Sequence, residues 1–464
     1  MSEPRAAPPT IWIDAEDLFR YAEAHTRPSG IQRLALEMCR ALVARHGTGS
    51  GTSSSTGTSV AGRVRFLRQR SFSDGFYAVS WESLRTAFET MANKPAAAPL
   101  PAGAAGPAAL RRFASLQGQA LAALGLLLRR LTREISEMPA NLATEFDAFA
   151  SQVRPNDVIL ALGSPWLPGY AARIRAAREQ FHVRFALTVY DIIPLRHPEW
   201  CHSTVTDHFG AWIDGVLPLS DHVFAISRAT ADDLARYAAR RGIALRRAPM
   251  PFPIGTGFHP PPAAAVGEAA GQALPPAGSY ALFVSTIEPR KNHVLLFRVW
   301  QALLRELPRE AVPTLVFAGQ VGWMVADLMA QLDNCAWLDG KIVFCRRPTD
   351  AELEALYRGC RFTLFPSLYE GWGLPVTESL VFGKPCVISR ATSLPEAGGR
   401  LARYFDPESV PDATRVIRGV IEDAAGLAAW QAQVAGEFRP VAWEESARVM
   451  IEALDADQPV ATPG

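Results

Sequence analysis

The sequence has almost no net charge, because 47 Lys and Arg residues oppose 46 Asp and Glu residues. It therefore lacks the overall positive field that draws a protein to nucleic acid. It also lacks an apolar run approaching the roughly 20 residues that a membrane-spanning helix needs. The N-terminus has no charged stretch followed by an apolar one, the pattern of a secretory signal. These absences predict a cytoplasmic protein that binds no nucleic acid.

Cysteine is scarce, and the common cofactor motifs are missing. The six cysteines form no C-x-x-C pair, so we expect reduced, mostly buried thiols. Neither G-x-G-x-x-G after a first strand nor a P-loop occurs, which argues against hydride transfer and P-loop chemistry. The single D-x-D, Asp455 to Asp457, lies in a polar tail and is interpreted as solvent-exposed. Because His197, Cys201 and His202 have no obvious further ligand nearby in the sequence, we predict no metal and no cofactor.

What is present is the composition of a soluble globular protein, with 48% hydrophobic and 20% charged residues in 464 positions. That length predicts two domains. Short apolar segments alternate with helical patterns in both halves, which predicts two α/β domains with parallel sheets covered by helices. A Pro/Gly/Ala-rich stretch at 260–278 separates them, with the first domain at 1–259 and the second beginning at 279. In such sheets, ligands bind at the carboxyl ends of the strands.

Two insertions are predicted in the first domain, near 47–62 and 93–138. The first is rich in Gly, Ser and Thr, and the second begins with a Pro/Ala-rich linker. Residues 110–138 are apolar in the middle and carry several arginines. This segment is interpreted either as a helix packed against the N-terminal sheet or as a basic amphipathic helix on an anionic membrane surface.

The strongest candidate site is the segment FPSLYEGWGLPVTESL, in which Glu370 and Glu378 flank a glycine-rich turn that opens a helix. Gly371 and Gly373 allow the backbone to approach a ligand closely, and the free N–H groups of a helix's first turn suit a diphosphate. Carboxylates bind sugar hydroxyls as strong acceptors. We therefore expect Glu370 to face a sugar and Glu378 to accept hydrogen bonds from a ribose.

A second motif, STIEPRKNHVLL, places Arg290 and Lys291 between the first strand of the second domain and its helix. Two adjacent cations at the carboxyl end of a parallel strand are suited to neutralise a diphosphate leaving group. The alternative interpretation is surface charge beside a helix. The glutamate motif in the same domain favours the ligand site.

These motifs resemble the retaining GT-B glycosyltransferases of family 4, the glycosyl transferases group 1, of the bacterial surface-polysaccharide mannosyltransferase type. The resemblance implies two Rossmann-like doubly wound parallel-sheet domains that face a central cleft. It also implies that the second domain ends near residue 440 and that a helix within 441–464 crosses back to the first. The matching pieces are Glu370 to Glu378, EPRKN (288–292), SLPEAGG (393–399), YFDP (404–407) and WEESA (443–447).

The resemblance also implies roles for individual residues. Arg290 and Lys291 would bind the donor pyrophosphate, and Glu378 would hold the ribose. The donor sugar would be held by Glu370 and the turn that follows it, namely Gly371, Trp372, Gly373, Leu374 and Pro375.

In the first domain, RPSGIQRLALEM (27–38) is similar to the family's PxGIQR loop and helix, and VYDIIPLRHPEW (189–200) to its HD-type strand end. This implies that Gly30 lies near the donor phosphate and Asp191 near the transferred sugar. Tyr190 stands where many members have histidine, so this chain offers no imidazole at that position. The catalytic candidates are then Arg290, Lys291, Glu370 and Asp191.

The resemblance predicts a retaining, metal-independent transfer of a hexose from a nucleotide-diphosphate sugar to a glycan or lipid-linked oligosaccharide in surface-polysaccharide or O-antigen biosynthesis. The expected donor is GDP-mannose, with UDP- and dTDP-sugars left open. The alternatives are a catalytically silent sugar-nucleotide-binding scaffold, or a GT-B epimerase or phosphorylase. If residues 110–138 bind lipid, the protein would sit at the inner face of the plasma membrane.

Overall fold

The computed structural model describes residues 8–25, 28–47, 62–69, 75–92, 149–257 and 275–456. Most of the predicted insertions and of the linker lies outside these residues, including the whole of 110–138. Within the described ranges, no helix combines the length and the apolar character needed to cross a bilayer.

The N-terminal domain is built on a seven-stranded sheet in the order β3-β2-β1-β4-β5-β6-β7. Every neighbouring pair is parallel except β2 and β3, which are antiparallel. The first strand is completely buried, as expected for a strand covered by helices on both faces. The strands are β1 (Ile11–Asp14), β2 (Val64–Gln69), β3 (Phe76–Val79), β4 (Val158–Ala161), β5 (Arg184–Val189), β6 (His222–Ala225) and β7 (Met250–Pro251).

Helices cover both faces of this sheet. The predicted helix after the PSG loop ends at Gly47, whose φ of +66° suits a glycine at a helix end. Another helix begins at Arg228, after Ser227, whose hydroxyl accepts from Thr230 N. The helices are α1 (Glu16–Ala24), α2 (Gly30–His46), α3 (Trp81–Ala92), α4 (Tyr170–Phe181), α5 (Ile193–Arg196), α6 (Ser203–Val216) and α7 (Arg228–Arg241).

The C-terminal domain is built on a six-stranded, fully parallel sheet in the order β10-β9-β8-β11-β12-β13. The fold class predicted from the sequence, two α/β domains with parallel sheets, is confirmed. The strands are β8 (Tyr280–Val284), β9 (Thr314–Gly319), β10 (Ile342–Arg346), β11 (Phe362–Phe365), β12 (Cys386–Ser389) and β13 (Ala402–Phe405).

The helices of the second domain follow its strands. One begins with a reciprocal capping box between Thr349 and Glu352, which fixes its first turn. A short left-handed turn at Ala336–Asp339 precedes β10. The helices are α8 (His293–Glu306), α9 (Ala326–Asn334), α10 (Asp350–Gly359), α11 (Leu374–Val381), α12 (Leu394–Gly398), α13 (Val410–Glu422), α14 (Ala424–Glu437) and α15 (Trp443–Asp455).

The last helix, α15, packs on the N-terminal domain. Trp443, Met450 and Leu454 are buried in the same apolar core as α2. The Trp443 ring lies against Gly255, and its indole N–H donates to the Gly257 carbonyl at 2.8 Å. The chain therefore forms the N-terminal domain, then the C-terminal domain, and finally returns to the N-terminal domain.

The sequence interpretation placed Asp455, at the end of α15, in solvent. In the structure Asp455 forms an ion pair. Its carboxylate pairs with the Arg63 guanidinium, with Arg63 Nη1 donating to Oδ2 at 2.8 Å. Arg63 also donates to the Pro9 carbonyl at the start of the first strand. The pair therefore fastens α15 to the segments that lead into β1 and β2 of the N-terminal sheet.

Candidate active site between the two domains

The two charged motifs meet because β8 and β11 are neighbours in the C-terminal sheet. Each motif follows the carboxyl end of its strand, where loops of adjacent parallel strands converge. Leu368 N donates to the Arg290 carbonyl at 2.9 Å, and the Asn292 amide donates to the Pro366 carbonyl at 3.1 Å. Asn292 has a φ of +59°, which turns the chain sharply into α8. The two loops therefore form one unit.

Glu370 lies at the centre of a charged cluster. Its two carboxylate oxygens accept separately from Lys291 Nζ and Arg290 Nη1, each at 2.6 Å. The other side of the Arg290 guanidinium donates to Glu288 Oε1 at 2.7 Å, and Nη1 also donates to the Tyr369 carbonyl at 2.8 Å. Both cations predicted to bind a diphosphate are thus held in place by carboxylates.

The charges in this cluster stabilise one another. Burial raises the pKa of Glu370, but Arg290 and Lys291 outweigh burial and bring that pKa to about 2. Burial likewise lowers the pKa of Arg290, while Glu370 and Glu288 more than compensate and raise it above its usual range. Glu370 is therefore ionised across the whole neutral range, and it fixes the two cations at their positions.

The glycine turn after Glu370 is supported by hydroxyl groups from the next loop of the sheet. Thr392 Oγ1 accepts from Glu370 N and donates to the Glu370 carbonyl, both at 2.9 Å. Ser393 Oγ lies 2.9 Å from the carbonyls of both Glu370 and Trp372. These contacts hold the turn rigid, which preorganises the carboxylate and the first turn of α11 for a ligand.

Gly371 brings the C-terminal domain into contact with the N-terminal one. A Cβ at this position would lie 2.2 Å from the Tyr190 carbonyl oxygen and 3.2 Å from Asp191 Cβ. Thr230, from α7, has its hydroxyl 3.2 Å from the Tyr190 carbonyl and 3.3 Å from the Gly371 carbonyl. The absence of a side chain at 371 therefore permits the close approach of the two domains at the candidate site.

Asp191 lies on the N-terminal side of this contact, at the carboxyl end of β5. Its Oδ1 accepts from Ile193 N at 2.9 Å. Burial raises its pKa, and Glu370 raises it further, while Arg290, Lys291 and the hydrogen bond from Ile193 lower it. The structure thus brings Asp191 into the electrostatic field of Arg290, Lys291 and Glu370.

Tyr190, the residue in place of histidine, is buried in the N-terminal core. Its hydroxyl donates to the Leu162 carbonyl at 2.5 Å. Burial raises its pKa well above the usual range, so the phenol stays neutral. Position 190 therefore contributes its backbone carbonyl to the contact between the domains and supplies no titrating group near neutral pH.

Glu378 lies one turn inside α11, apart from the Glu370 cluster. Its Oε2 accepts from the Tyr357 hydroxyl at 2.8 Å. Burial raises its pKa, while the hydrogen bond from Tyr357 and the charge of Arg33 lower it. Arg33 belongs to α2 and pairs with Asp350 at 2.9 Å across the two domains.

The first residues of α2 and α11 face each other across the cleft. A Cβ at Gly30 would lie 3.5 Å from Leu374 Cδ1, in ordinary contact. Both helix starts carry the positive end of a helix dipole. In α11 the first turn offers few free N–H groups, because Pro375 has none and Val376 N donates to the Gly373 carbonyl at 2.9 Å. These helix starts, with Arg290 and Lys291 bound to Glu370 four residues before α11, give a region suited to a diphosphate. The roles of Gly30, Trp372, Leu374 and Pro375 in ligand binding remain predictions.

The sequence interpretation assigned no role to several residues that build this site, namely Glu288, Thr230, Thr392 and Ser393. Glu288 lies within the EPRKN motif, where an acid close in sequence to two cations could have indicated its pairing with them. Ser393 belongs to the SLPEAGG motif. Thr230 lies in ISRATADDL (226–234), which resembles the family's strand-helix element bordering the cleft, but its own contact depends on the second domain.

In the described ranges, no group of three or more His, Cys, Asp or Glu side chains is arranged to hold a metal ion. His197 pairs instead with Glu199 at 3.0 Å. The metal independence of the reaction stays a prediction.

Comparison with known proteins shows what this chain resembles. Residues 269–433 match the family model described as Glycosyl transferases group 1. This match covers the C-terminal sheet and the two charged motifs, and it confirms the relationship that those motifs predicted. Anabaena HepE in complex with UDP-glucose has the same fold, with a TM-score of 0.53 and 15% identity over 97% of this chain and 98% of that one. The predicted GT-B fold is thereby confirmed.

Two of the individual proteins that this chain resembles are mannosyltransferases of Escherichia coli. The O-antigen chain mannosyltransferase B is 33% identical over 174 residues, which are 38% of this chain and 45% of that protein. The serotype-specific mannosyltransferase WbdA is 28% identical over 284 residues, which are 59% of this chain and 34% of that protein. This chain therefore aligns with less than half the length of these curated relatives.

Proposed function

We propose that this protein is a retaining, metal-independent hexosyltransferase that moves mannose from GDP-mannose to a glycan or lipid-linked oligosaccharide of a bacterial surface polysaccharide. The observation that carries the proposal is the cluster of Arg290, Lys291 and Glu370 beside two opposed helix N-termini. The names of the relatives support the choice of mannose and of an O-antigen product. The proposed place of action is the cytoplasm.

In the proposed reaction, the donor diphosphate lies against the N-termini of α2 and α11 and beside Arg290 and Lys291. Negative charge grows on the leaving diphosphate as the glycosidic bond breaks, and fixed cations stabilise that charge most in the transition state. Their pairing with Glu370 and Glu288 means that they need little reorganisation when the donor arrives. Glu370 holds a sugar hydroxyl, and Glu378 holds the ribose.

The acceptor hydroxyl attacks the anomeric carbon on the face from which the diphosphate leaves, so the configuration is retained without an enzyme nucleophile. The new bond joins the acceptor oxygen to the anomeric carbon, and the bond to the diphosphate oxygen breaks. The proton of the acceptor passes to the departing phosphate. Asp191 lies on the acceptor side of the cleft, where it orients the attacking hydroxyl.

A thermal-shift screen against GDP, UDP, dTDP and ADP, with and without EDTA, tests the donor. A ligand that binds the native state raises the apparent stability. We expect GDP to give the largest shift and EDTA to leave that shift unchanged. A larger shift with another nucleotide would replace the donor, and a shift abolished by EDTA would contradict metal independence.

The second candidate is a silent scaffold that binds a sugar nucleotide without transfer, and the buried Tyr190 in place of histidine favours it. The two candidates differ in acceptor-dependent release of GDP from GDP-mannose. Release that requires an added mannoside acceptor supports the transferase, and proton NMR of the product's anomeric signal gives the stereochemistry. Nucleotide binding without such release supports the scaffold.

A further inference from the structure

An apolar loop is exposed between β9 and α9 of the C-terminal domain. Five large apolar side chains are exposed in the described ranges, and three of them lie in this loop, namely Val321, Trp323 and Met324. Trp323 is 40% exposed and Met324 is 59% exposed. Single apolar residues are normal on a protein surface, whereas a cluster of them marks an interaction site. The apolar loop, residues 321–324, is therefore a candidate binding surface.

The apolar loop lies beside the proposed reaction centre, because it follows the carboxyl end of β9, the neighbour of β8. Gly322 N donates to the Ile287 carbonyl at 2.9 Å, and a Cβ at Gly322 would lie 3.6 Å from Glu288 Cβ. Glu288 is the acid that pairs with Arg290. The loop is thus packed on the segment that carries the cations of the candidate site.

The indole of Trp323 joins the apolar loop to the N-terminal domain. Its N–H donates to the Trp200 carbonyl at 2.7 Å. The Trp200 ring stacks on His197 with 4.1 Å between centroids, and His197 lies 5.0 Å from the ring of Tyr369. Tyr369 directly precedes Glu370. The hydrogen bond therefore fixes the orientation of an indole that is partly open to solvent at the edge of the site.

The backbone of the apolar loop is strained at Met324, where φ is +56°. Left-handed conformations are costly for a residue that carries a Cβ, and they cluster at functional sites. In the described part of the chain, Met324 is also the most exposed of the large apolar residues. Burial of its side chain does not offset the cost, which favours a role in binding.

The charges around the apolar loop favour a neutral ligand. Residues 198–207 and 320–327 include no Lys or Arg, and their acids are Glu199, Asp207 and Asp327, all exposed. An anionic membrane surface or a phosphate is therefore disfavoured. A glycan offers C–H faces that pack on the electron-rich face of an aromatic ring, and its hydroxyls donate to carboxylates. The suitable ligand is a neutral glycan.

We propose that the apolar loop binds the acceptor glycan, with one sugar unit stacked on the exposed face of Trp323. The inference rests on the proposed function, because it names how the acceptor of that reaction is held. The loop lies beside the cluster of Arg290 and Glu370 rather than within it, so the stacked unit is not the one whose hydroxyl attacks. The enzyme therefore prefers acceptors of two or more sugars.

The first experiment follows the tryptophan indole N–H signals of the 15N-labelled full chain by NMR, with saturating GDP. The probes are methyl α-D-mannopyranoside and mannotrioses linked α-1,2 and α-1,3. We expect one mannotriose to shift the Trp323 signal, assigned with Trp323→Phe, and to bind about fivefold to tenfold more tightly than the mannoside. The Trp300 signal should stay unmoved, because that indole donates to the Pro313 carbonyl inside the C-terminal core.

Two substitutions separate stacking from the hydrogen bond. Trp323→Ala removes both, and we expect mannotriose binding to weaken about fivefold to tenfold with GDP affinity unchanged. Trp323→Phe keeps an aromatic face but cannot donate to Trp200, so it should retain most of the binding. Equal losses in the two variants would assign the effect to the contact between the domains and overturn the proposal.

Trp337→Ala is the matched control. The indole of Trp337 also donates a hydrogen bond, to Asp333 Oδ1 at 2.9 Å, but this residue precedes β10 at the end of the sheet opposite the site. This variant should bind the mannotriose as the unmodified chain does.

The outcomes separate the two proposals. GDP binding together with equal affinity for the mannoside and both mannotrioses overturns the glycan surface and leaves the proposed function standing. Trp323-dependent sedimentation with vesicles of phosphatidylcholine and phosphatidylglycerol, without a shift by any sugar, also overturns it and makes the loop a membrane contact. Absence of GDP binding in the unmodified chain contradicts the proposed function. In that case the same sugar titration without nucleotide decides the role of the loop.

Discussion

The charge of Glu370 is stabilised by its two cationic neighbours, Arg290 and Lys291. A carboxylate whose pKa is lowered stabilises the fold above its ordinary pKa, and that contribution is lost only as the pH falls through the lowered value. For Glu370 this window lies between about 4.5 and about 2. Glu370 therefore keeps its charge toward Arg290 and Lys291 throughout the neutral range.

Lys291 and Glu378, the two predicted donor contacts, are expected to act at different stages of the reaction. Lys291→Ala removes a charge that serves the leaving diphosphate, so we expect kcat to fall by roughly 10²–10³ with a small change in donor KM. Glu378→Ala removes a ribose contact present in ground and transition states, so donor KM should rise about tenfold at similar kcat. Steady-state kinetics with varied donor measure both.

The matched control is Glu310→Ala, an exposed acid before β9, which should behave as the unmodified chain. If the lysine and glutamate variants both match that control, the site assignment is wrong.

Asp17 gives a pH dependence of the opposite sign. Burial raises its pKa to about 7, although the Ser164 N–H donates to it at 2.7 Å. Between about pH 4 and pH 7 the unfolded chain is ionised at this residue while the folded chain is protonated, so stability falls as the pH rises. At about 1.4 kcal/mol per pKa unit, this amounts to roughly 2–4 kcal/mol. Asp17→Asn should flatten that fall in chemical unfolding at pH 5 and pH 8.

Asp207→Asn provides the control, because Asp207 is an exposed acid on α6. A stability difference between Asp17→Asn and the unmodified chain that does not grow with pH would refute a raised pKa at Asp17.

At the residue scale, the sequence singled out the charged residues of the candidate site but not the contacts between them. Arg290, Lys291, Glu370 and Glu378 were recognisable from their motifs. Their predicted roles treated the cations and Glu370 separately, whereas the structure joins them. That contact depends on β8 and β11 being neighbours, and strand order is set by packing of the whole sheet rather than by local sequence.

At the scale of elements, the start of α7 is completed by the other domain. Glu396, from α12, accepts from Arg228 N at 2.8 Å and from Ala229 N at 2.9 Å. Ser227 satisfies the next N–H of the same turn. The C-terminal domain thus supplies acceptors for two N–H groups that a helix start otherwise leaves unsatisfied.

Removing this contact should loosen the two domains. We expect Glu396→Ala to weaken the closed arrangement by about 0.5–2 kcal/mol, the usual worth of a helix cap. Hydrogen exchange at Arg228 and Ala229 should accelerate, and the radius of gyration from small-angle scattering should increase. Glu179→Ala, at an exposed position of α4, is the control. Unchanged exchange at the two amides would show that the contact is absent in solution.

The glycine turn before α11 tolerates no side chain at its first position. Gly371→Ala places a Cβ against the Tyr190 carbonyl, and both backbones must move. A displacement of about 1 Å can cost roughly 10² in rate, so we expect turnover to fall by about that factor.

Gly436→Ala is the matched control, because a Cβ there meets nothing within 4 Å inside α14. It should keep full turnover and gain about 0.5–1 kcal/mol in stability. Equal turnover of the two alanine variants would show that the domains do not approach at Gly371.

At the scale of the whole molecule, the last helix joins the two domains. Trp443 is 6% exposed and donates to the Gly257 carbonyl. Beside it, Thr256 N donates to the Val441 carbonyl at 2.8 Å, and Val441 N donates to Thr256 Oγ1 at 2.8 Å. The segments by which the chain leaves and re-enters the first domain are thus hydrogen-bonded to each other.

Trp443→Ala should therefore destabilise the protein by about 3–5 kcal/mol, the usual cost of emptying a buried Trp site. Guanidinium unfolding followed by circular dichroism measures this. Trp337→Ala, at a partly exposed position, should cost clearly less. A small effect of Trp443→Ala would mean that the helix is held mainly by its other residues.

At this scale, the fold class followed from the alternation of strands and helices in the sequence. The approach of the domains did not, because contacts such as Thr230 with Gly371 join residues 141 positions apart. Only the resemblance to family 4 indicated a returning helix, because the segment WEESARVM does not itself show which surface it covers.

The position of α15 has a consequence for synthesis on the ribosome. Domains of a growing chain generally fold as units, the first one before the second has emerged. Here the apolar side of α2 is covered by a helix that is translated after both sheets. A nascent chain that stops before Trp443 exposes that surface, even though both sheets have been made. We therefore expect chaperones to hold the N-terminal half until translation reaches residue 455.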